Sequence, residues 1–458
     1  MKSGHSICLL NDSFPPIIDG VANTVMNYAK IIERSHGHSM VVTPRVPGVK
    51  SNDDYDFPVI RYPSIDTRKL IGYVTGYPFS PEVAHAATEE RIDLLHSHCP
   101  AVSTLMAREL AESMRLPLVL TWHTKFDIDI ANAVKSKLIQ AGALHALRYN
   151  VNACDEIWTV SKGAGENLKS IGYEGDYIVM PNGVDLPREK VPTDIVDKVT
   201  EGYDLPSDLP CYLFVGRLMW YKGIRIILDA LAKLKSEGVD YRCVLVGDGG
   251  EGGEMRDYAA EIGIDDKVFF TGAISEREAL RAWYCRADLF LFPSAYDTNG
   301  LVVREAAAND TASVIIKDSC ASEGIIDGRN GFLIEENSES LADILITLSE
   351  APDRVKTVGK AAGDEIYISW EAAVAKACER YEVVKEKYRA GDYGVHDPLR
   401  GSWLQSQGEL MQILGEIDMN MRFIRDKAVT EIKSVGYEAK ENLSDKAKNI
   451  WTLLDRYL

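Results

Sequence analysis

A chain of 458 residues is too long for one ordinary hydrophobic core, so two domains and an appendage are expected. With 46% apolar and 26% charged residues its make-up is ordinary for a folded, soluble protein. A net charge of -18 argues against nucleic acid as a partner, because a phosphate backbone selects a basic surface.

The N-terminal MKSGHSICLLNDSF has no long apolar core of a signal peptide and runs straight into a strand pattern. The 8 cysteines are scattered without a C-x-x-C pair, and several sit in apolar runs (CYLFVG, RCVLVG). They read as buried, reduced thiols, and a cytoplasmic location is expected. No apolar run reaches membrane-spanning length. Any membrane contact is therefore expected to be peripheral, at the inner face.

Short apolar runs alternate with helical stretches. HSICLLND (from His5), HSMVVTP (His38), IDLLHSH (Ile92), LPLVLTWHT (Leu116), EIWTVS (Glu156) and DYIVMPNG (Asp176) read as strands. Val21–Gly37 and Ala101–Arg115 carry helical periodicity between them. This is the βαβ rhythm of an α/β fold with a parallel, doubly wound sheet, apolar on both faces. Asp185 to Pro210, rich in proline and charge, reads as the linker region. The rhythm restarts with CYLFVGRL (Cys211), RCVLVGDG (Arg242), KVFFTG (Lys267), LFLFPSAY (Leu289) and SVIIKD (Ser313). The expected organisation is an N-terminal domain over 1–190, a second Rossmann-like domain over 205–369, a closing helix over 370–389 and a helical extension over 400–458. In that extension Leu410, Leu414, Ile417, Met421, Ile424 and Ala428 form a heptad-like stripe, and Leu443, Ala447, Ile450 and Leu454 a second. A helical hairpin is expected, packed on the body or serving a homodimer.

In open α/β sheets ligands sit at the carboxyl ends of the strands. Arg217 follows the run CYLFVG in GRLMWYKG, Gly216 to Gly223, with Lys222 ahead of a helical run. Two cations there suit a diphosphate, gripping it harder as leaving-group charge grows. The plainer reading is a pair of solvated cations, which a helix N-terminus disfavours without an anion. The run PSAYDTNGLVVREAAA, Pro293 to Ala308, sets a turn with Asp297, Asn299 and Gly300 before a helix. Gly300 allows close backbone approach, and the helix start offers amides to a phosphate. Glu305 suits the hydroxyls of a ribose and Asp297 those of a sugar. As plain structure, Asp297 would be a cap and Glu305 a surface acid.

The second half resembles the nucleotide-sugar domain of the retaining family-4 glycosyltransferases, which have the GT-B fold. The family pattern is G-R-x4-K-G, then G-x-G, then a Glu-x7-Glu motif with an internal glycine. Here the pieces read GRLMWYKG, GDGG (Gly247 to Gly250) and Asp297 with seven residues before Glu305. EGIIDGRNGFLI (Glu323 to Ile334) and SWEAAVAKACERY (Ser369 to Tyr381) match later landmarks. NDSFPPIIDGVANTV (Asn11 to Val25) resembles the opening loop, whose Gly-Val, here Gly20 and Val21, lies against the donor. TWHTKFDIDI (Thr121 to Ile130) resembles the segment whose histidine, here His123, faces the transferred sugar. His98 in HSHCP reads as architectural or as lining the acceptor side.

The resemblance implies a catalytic set of His123, Arg217, Lys222, Asp297 and Glu305. It implies a donor site of Gly20, Val21, Gly216, Gly247, Asn299, Gly300, Leu301 and Val302. The activity implied is transfer of a hexose from a UDP-sugar to an acceptor hydroxyl with retention, and no metal is required. Asp297 stands where Glu is usual and Asn299 where Phe is usual, which bears on the sugar. Asn309 to Val314 departs from the family's Gly-x-Pro-Val. The opening loops resemble bacterial diacylglycerol glucosyltransferases, so a membrane lipid is one acceptor reading. Ala133 to Asn150, with Lys135, Lys137, His145 and Arg148, is a candidate helix for anionic lipid. A sugar or glycan acceptor is the other reading. A UDP-sugar epimerase or hydrolase and a non-catalytic UDP-sugar-binding subunit are the rival functions. No G-x-G-x-x-G follows the first strand, which counts against a dinucleotide oxidoreductase.

Overall fold

The computed structural model describes residues 4–394, apart from 18, 52, 69–73, 134–136, 296 and 298. The heptad-like stripes expected beyond residue 400 lie outside the described residues. Met1–Val395 form one compact unit that contains two large parallel sheets.

The first sheet has the order β3-β2-β1-β6-β7-β8-β9. Its strands are β1 (His5–Leu10), β2 (Gly37–Pro44), β3 (Val59–Tyr62), β6 (Leu94–Ser97), β7 (Leu118–Trp122), β8 (Glu156–Thr159) and β9 (Ile178–Val179). A small antiparallel pair, β4 (Ser64–Ile65) and β5 (Thr75–Gly76), lies outside it. The second sheet has the order β12-β11-β10-β13-β14-β15. It comprises β10 (Cys211–Val215), β11 (Arg242–Val246), β12 (Val268–Gly272), β13 (Leu289–Phe292), β14 (Ala312–Ile316) and β15 (Phe332–Ile334). In each sheet the chain builds outward from its first strand, then returns to the other side of it. The order therefore reverses between β1 and β6, and again between β10 and β13. A crevice opens at the carboxyl ends of the strands at such a reversal.

Both faces of both sheets are covered, which is why the strands read as continuous apolar runs. Cys8, Leu10, Leu95, Leu120 and Trp122 pack on one face of the first sheet, and Ile7, Leu9, Leu94, Val119 and Trp158 on the other. Trp370, Val374, Ala377, Tyr381 and Val384 belong to that second cluster. They come from the helix Trp370–Ala390, so this late element packs on the first sheet and not on the second that precedes it. Arg380 pairs with Glu156 at 2.6 Å and Lys385 with Asp93 at 3.1 Å on the same side. The second sheet has its own core, with Leu213, Val244, Phe290 and Val314 at its centre.

Three local readings change. The segment between the sheets contains a helix, Thr193–Thr200, whose Val196 packs with Val191 and Ala282. The helical period expected over Val21–Gly37 is an α-helix only over Gly20–Ile31, followed by a π-helical turn, Ile32–His36. The edge strand β3 has only four residues, and β4 and β5 two each, too short to announce themselves. All eight cysteines are free thiols, five of them buried. Among the described residues no helix is long and apolar enough to cross a membrane.

Candidate active site

The second reversal gathers most of the expected residues. Arg217 leaves β10 and is exposed, with no carboxylate partner among the described residues. The chain then makes a short 3-10 turn, Trp220–Lys222, and passes Gly223 at φ +79°. A Cβ at Gly223 would stand 1.8 Å from the Pro293 carbonyl oxygen, so only glycine lets this turn lie on the end of β13. That contact brings Lys222 to the second motif. Lys222 Nζ donates to Asp297 Oδ2 at 2.7 Å, and the buried Ser294 hydroxyl donates to the same oxygen at 2.9 Å. Lys222 and Asp297, assigned separate tasks from the sequence, are thus one ion pair, with side chains 12% and 24% exposed.

The helix Leu301–Ala308 opens beside this pair, with Gly300 at its N-cap in the left-handed region. The first N–H groups of a helix have no partner within it, and those of Leu301 and Val302 are among them. Glu305 lies further into the helix, where Tyr284 Oη donates to its Oε2 at 2.9 Å. Burial pushes the Glu305 carboxyl up, the Tyr284 bond lowers it, Asp185 raises it and Arg277 lowers it. Asp185 and Arg277 themselves pair at 2.7 Å. A half-buried carboxylate with one donor in place and lone pairs to spare suits a diol.

Asn299 does not present its carbonyl to the crevice. Its Oδ1 accepts from Arg304 Nη1 at 3.0 Å, and Arg304 also donates to the Asn182 carbonyl at 3.1 Å. Burial pushes the Arg304 guanidinium down to about 10. Gly216 and Gly247 meet each other, since a Cβ at Gly247 would stand 1.8 Å from Gly216 O. The demand for glycine at 247 therefore comes from the chain's own backbone.

The first reversal supplies the rest. Gly20 and Val21 begin the helix Gly20–Ile31, capped by Asp19, whose Oδ1 accepts from Val21 N at 2.9 Å and Ala22 N at 2.7 Å. A Cβ at Gly20 would meet nothing within 4 Å, so no protein neighbour requires the glycine. His123 follows β7 and is 7% exposed. Burial pushes its imidazole down to about 3, so it is neutral over the working pH range. Its Nε2 lies 3.0 Å from His98 Nδ1.

Sequence reasoning missed Ser294, Tyr284 and Asp19, which hold Asp297, Glu305 and the first helix start. Asp19 had a readable signal, an aspartate directly before an apolar helical run. It also missed Glu323 as a tie between the sheets. Its carboxylate accepts from Lys162 N at 2.7 Å and Gly163 N at 2.5 Å, at the start of the helix Lys162–Ser170. Among the described residues no group of three or more histidine, cysteine or acidic side chains is set to hold a metal ion.

Two doubly wound sheets, each with its reversal lined by glycine turns, helix starts and charged side chains, define a GT-B glycosyltransferase architecture. The family model described as Glycosyltransferase Family 4 matches residues 18–188, and the model described as Glycosyl transferases group 1 matches 197–364. The chain belongs to the family-4 glycosyltransferases of GT-B fold. It is similar to the alpha-monoglucosyldiacylglycerol synthase of Streptococcus pneumoniae, 23% identical over 76% of this chain and 79% of that one. It is also similar to the D-inositol 3-phosphate glycosyltransferase of an Arthrobacter species, 28% identical over 67% and 77%. A third relative is the GDP-mannose-dependent alpha-mannosyltransferase of Corynebacterium glutamicum, 23% identical over 82% and 88%. Among solved structures, Anabaena HepE in complex with UDP superposes with a TM-score of 0.66, 19% identity and coverage of 82% and 100%. Sucrose-phosphate synthase from Thermosynechococcus elongatus does so at 0.65, 21% identity and coverage of 83% and 99%. The chain is a glycosyltransferase acting on a sugar donor.

Proposed function

We propose that this glycosyltransferase moves a hexose from a UDP-sugar to a hydroxyl of a diacylglycerol-type membrane lipid, with retention at the anomeric carbon. The observation that carries the reading is the Lys222–Asp297 pair at the start of the helix Leu301–Ala308. An ammonium has three donor hydrogens; Asp297 takes one, which leaves two for diphosphate oxygens. Arg217 adds an uncommitted guanidinium, and the helix start adds amides and a favourable dipole. Both cations hold more tightly as the bond to the sugar breaks and charge gathers on the phosphate. They supply the charge compensation that a metal gives elsewhere, so transfer proceeds without one.

Glu305 holds the ribose hydroxyls. Asp297 Oδ2 accepts from Lys222 and Ser294, and Oδ1 addresses a sugar hydroxyl. His123 orients the sugar as a neutral group. The bond from the anomeric carbon to the phosphate oxygen breaks as the acceptor oxygen bonds on the same face. The acceptor proton passes to the leaving phosphate oxygen. The donor reading is supported by the HepE structures in complex with UDP and with UDP-glucose. The lipid reading is supported by the two glucosyldiacylglycerol synthases among the relatives. A GDP-sugar is the second donor reading, on the names of the mannosyltransferase relatives.

The test is incubation with UDP-glucose and vesicles of dioleoylglycerol in phosphatidylglycerol, followed by lipid extraction and NMR of the anomeric proton. An α-glucosyl lipid is the expected product. A β-linked product overturns retention. Free glucose without glycolipid makes the chain a hydrolase, and no turnover with any UDP-sugar removes the donor reading.

A further inference from the structure

The chain passes between the two sheets twice, after β9 and again before the helix Trp370–Ala390. The two crossings lie side by side. Val184 and Ser369 form a parallel bridge, and Val184 N donates to Ile368 O at 3.0 Å. Gly183 lies so close to the second crossing that a Cβ there would stand 2.5 Å from Trp370 N. These contacts fix the backbone directly before Asp185. Just beyond it, Arg188 pairs with Asp364 at 2.5 Å, on the helix Pro352–Glu365 that packs into the second core. Asp185 therefore stands where the chain leaves one sheet and joins the other.

Its carboxylate reaches both ways from this point. Oδ2 accepts from Asn23 Nδ2 at 3.0 Å and pairs with Arg277 Nη1 at 2.7 Å. Asn23 lies in the first turn of the helix Gly20–Ile31, whose start is read as a donor contact. Arg277 is the first residue of the helix Arg277–Arg286. That helix also carries Tyr284, the donor to Glu305 at 2.9 Å. One oxygen thus joins the first wall of the cleft to the helix that holds the ribose carboxylate of the second. Charge alone does not account for an acid here. Asp185 raises the Glu305 carboxyl and adds negative charge near a site read as taking an anion. The Arg277 side chain is 58% exposed, and a pair so exposed adds little to stability.

We propose that Asp185 is a positioning residue that locks the two walls of the donor site together, holding the helix Gly20–Ile31 through Asn23 and the helix Arg277–Arg286 through Arg277. This rests on the reading of the cleft as a UDP-sugar site. With the lock closed, the contacts at Gly20 and Glu305 stand at a set separation before the nucleotide arrives. With it open, the nucleotide must order the walls itself, and that cost falls on binding.

The experiment is UDP binding by calorimetry and steady-state transfer from UDP-glucose to dioleoylglycerol vesicles, on the full chain. Asp185→Asn keeps an acceptor for Asn23 and loses the ion pair with Arg277. It should weaken UDP by about 5- to 20-fold and raise the donor KM alike, with kcat changed less than about threefold. Removing a negative charge beside an anion site would by itself tighten UDP, so an unchanged or tighter Kd overturns the proposal. Asn23→Ala opens the other arm and leaves every charge in place. It should weaken UDP by about 3- to 10-fold in the wild-type background and add little to Asp185→Asn, because either break opens the same lock. Effects that multiply in the double variant overturn it. A lowered urea midpoint with wild-type UDP affinity makes the contact structural only and also overturns it. If Asp185→Asn does not fold, Asn23→Ala decides, and wild-type Kd and KM in that variant overturn the lock. Wild-type protein that neither binds UDP nor turns over any UDP-sugar overturns instead the donor reading on which the proposal rests.

Discussion

At the scale of single residues, the site rests on second partners that are not conspicuous in the sequence. Lys222 is held by Asp297, and Asp297 by Ser294. Removing the ammonium by Lys222→Ala should cut kcat/KM by about 100-fold or more, as loss of a transition-state charge partner does elsewhere. Glu305→Ala should act mainly on donor binding, read as a rise in KM. Tyr284→Phe removes the bond that favours the ionised form of Glu305. The carboxyl should then hold its proton to higher pH, so the acid limb of kcat/KM should move upward, and a pH profile of the variant checks the sign. Arg217, Lys222, Asp297 and Glu305 were legible because charge and glycine in that order have few other uses. Tyr284 and Ser294 were not, because a tyrosine in a helix and a serine after a strand look the same whether or not they reach a carboxylate.

At the scale of elements, close backbone approach fixes the geometry. Gly223→Ala would drive a Cβ into the Pro293 carbonyl and move the turn that carries Lys222. A loss of about 2–3 kcal/mol in unfolding free energy by urea titration is expected, with donor affinity falling alongside. Asp19→Ala removes two bonds from the start of the helix Gly20–Ile31 and should cost about 1 kcal/mol by the same titration. The strands of both sheets were legible because a sheet covered on both faces demands unbroken apolar runs. The helix Thr193–Thr200 was hidden by the prolines and charges around it, and β3 by its position at a sheet edge. That the helix Trp370–Ala390 packs on the first sheet is a long-range fact that no local period encodes, and only the resemblance to the family's closing helix implied it.

At the scale of the whole molecule, Glu323 couples the two sheets of Met1–Val395. Glu323 follows the second sheet's β14 yet satisfies two free amides on a helix of the first. Glu323→Gln keeps one acceptor in place of two. Amide exchange at Lys162 and Gly163 should accelerate by about 10-fold, read by hydrogen exchange. The buried imidazoles make stability depend on pH. His123 is pushed from 6.5 to about 3 in the fold, so between those values the unfolded chain binds the extra proton. Stability is then fully present above pH 6.5 and is lost as pH falls. His123 alone should account for about 2 kcal/mol between pH 7.5 and 5, with His96 and His98 acting in the same direction. Urea titrations at the two pH values measure it, and equal stabilities would contradict the burial of His96, His98 and His123 as neutral rings.

The grip of Lys222 on a nucleoside diphosphate-sugar is central to the proposed reaction. The most direct measurement is nucleotide release from a panel of UDP- and GDP-hexoses, with and without dioleoylglycerol vesicles, for wild type and Lys222→Ala. UDP release from one UDP-hexose is expected, dependent on vesicles and nearly abolished in Lys222→Ala. Release that is equal in the two proteins, or wild-type protein silent with every UDP-sugar, would contradict it.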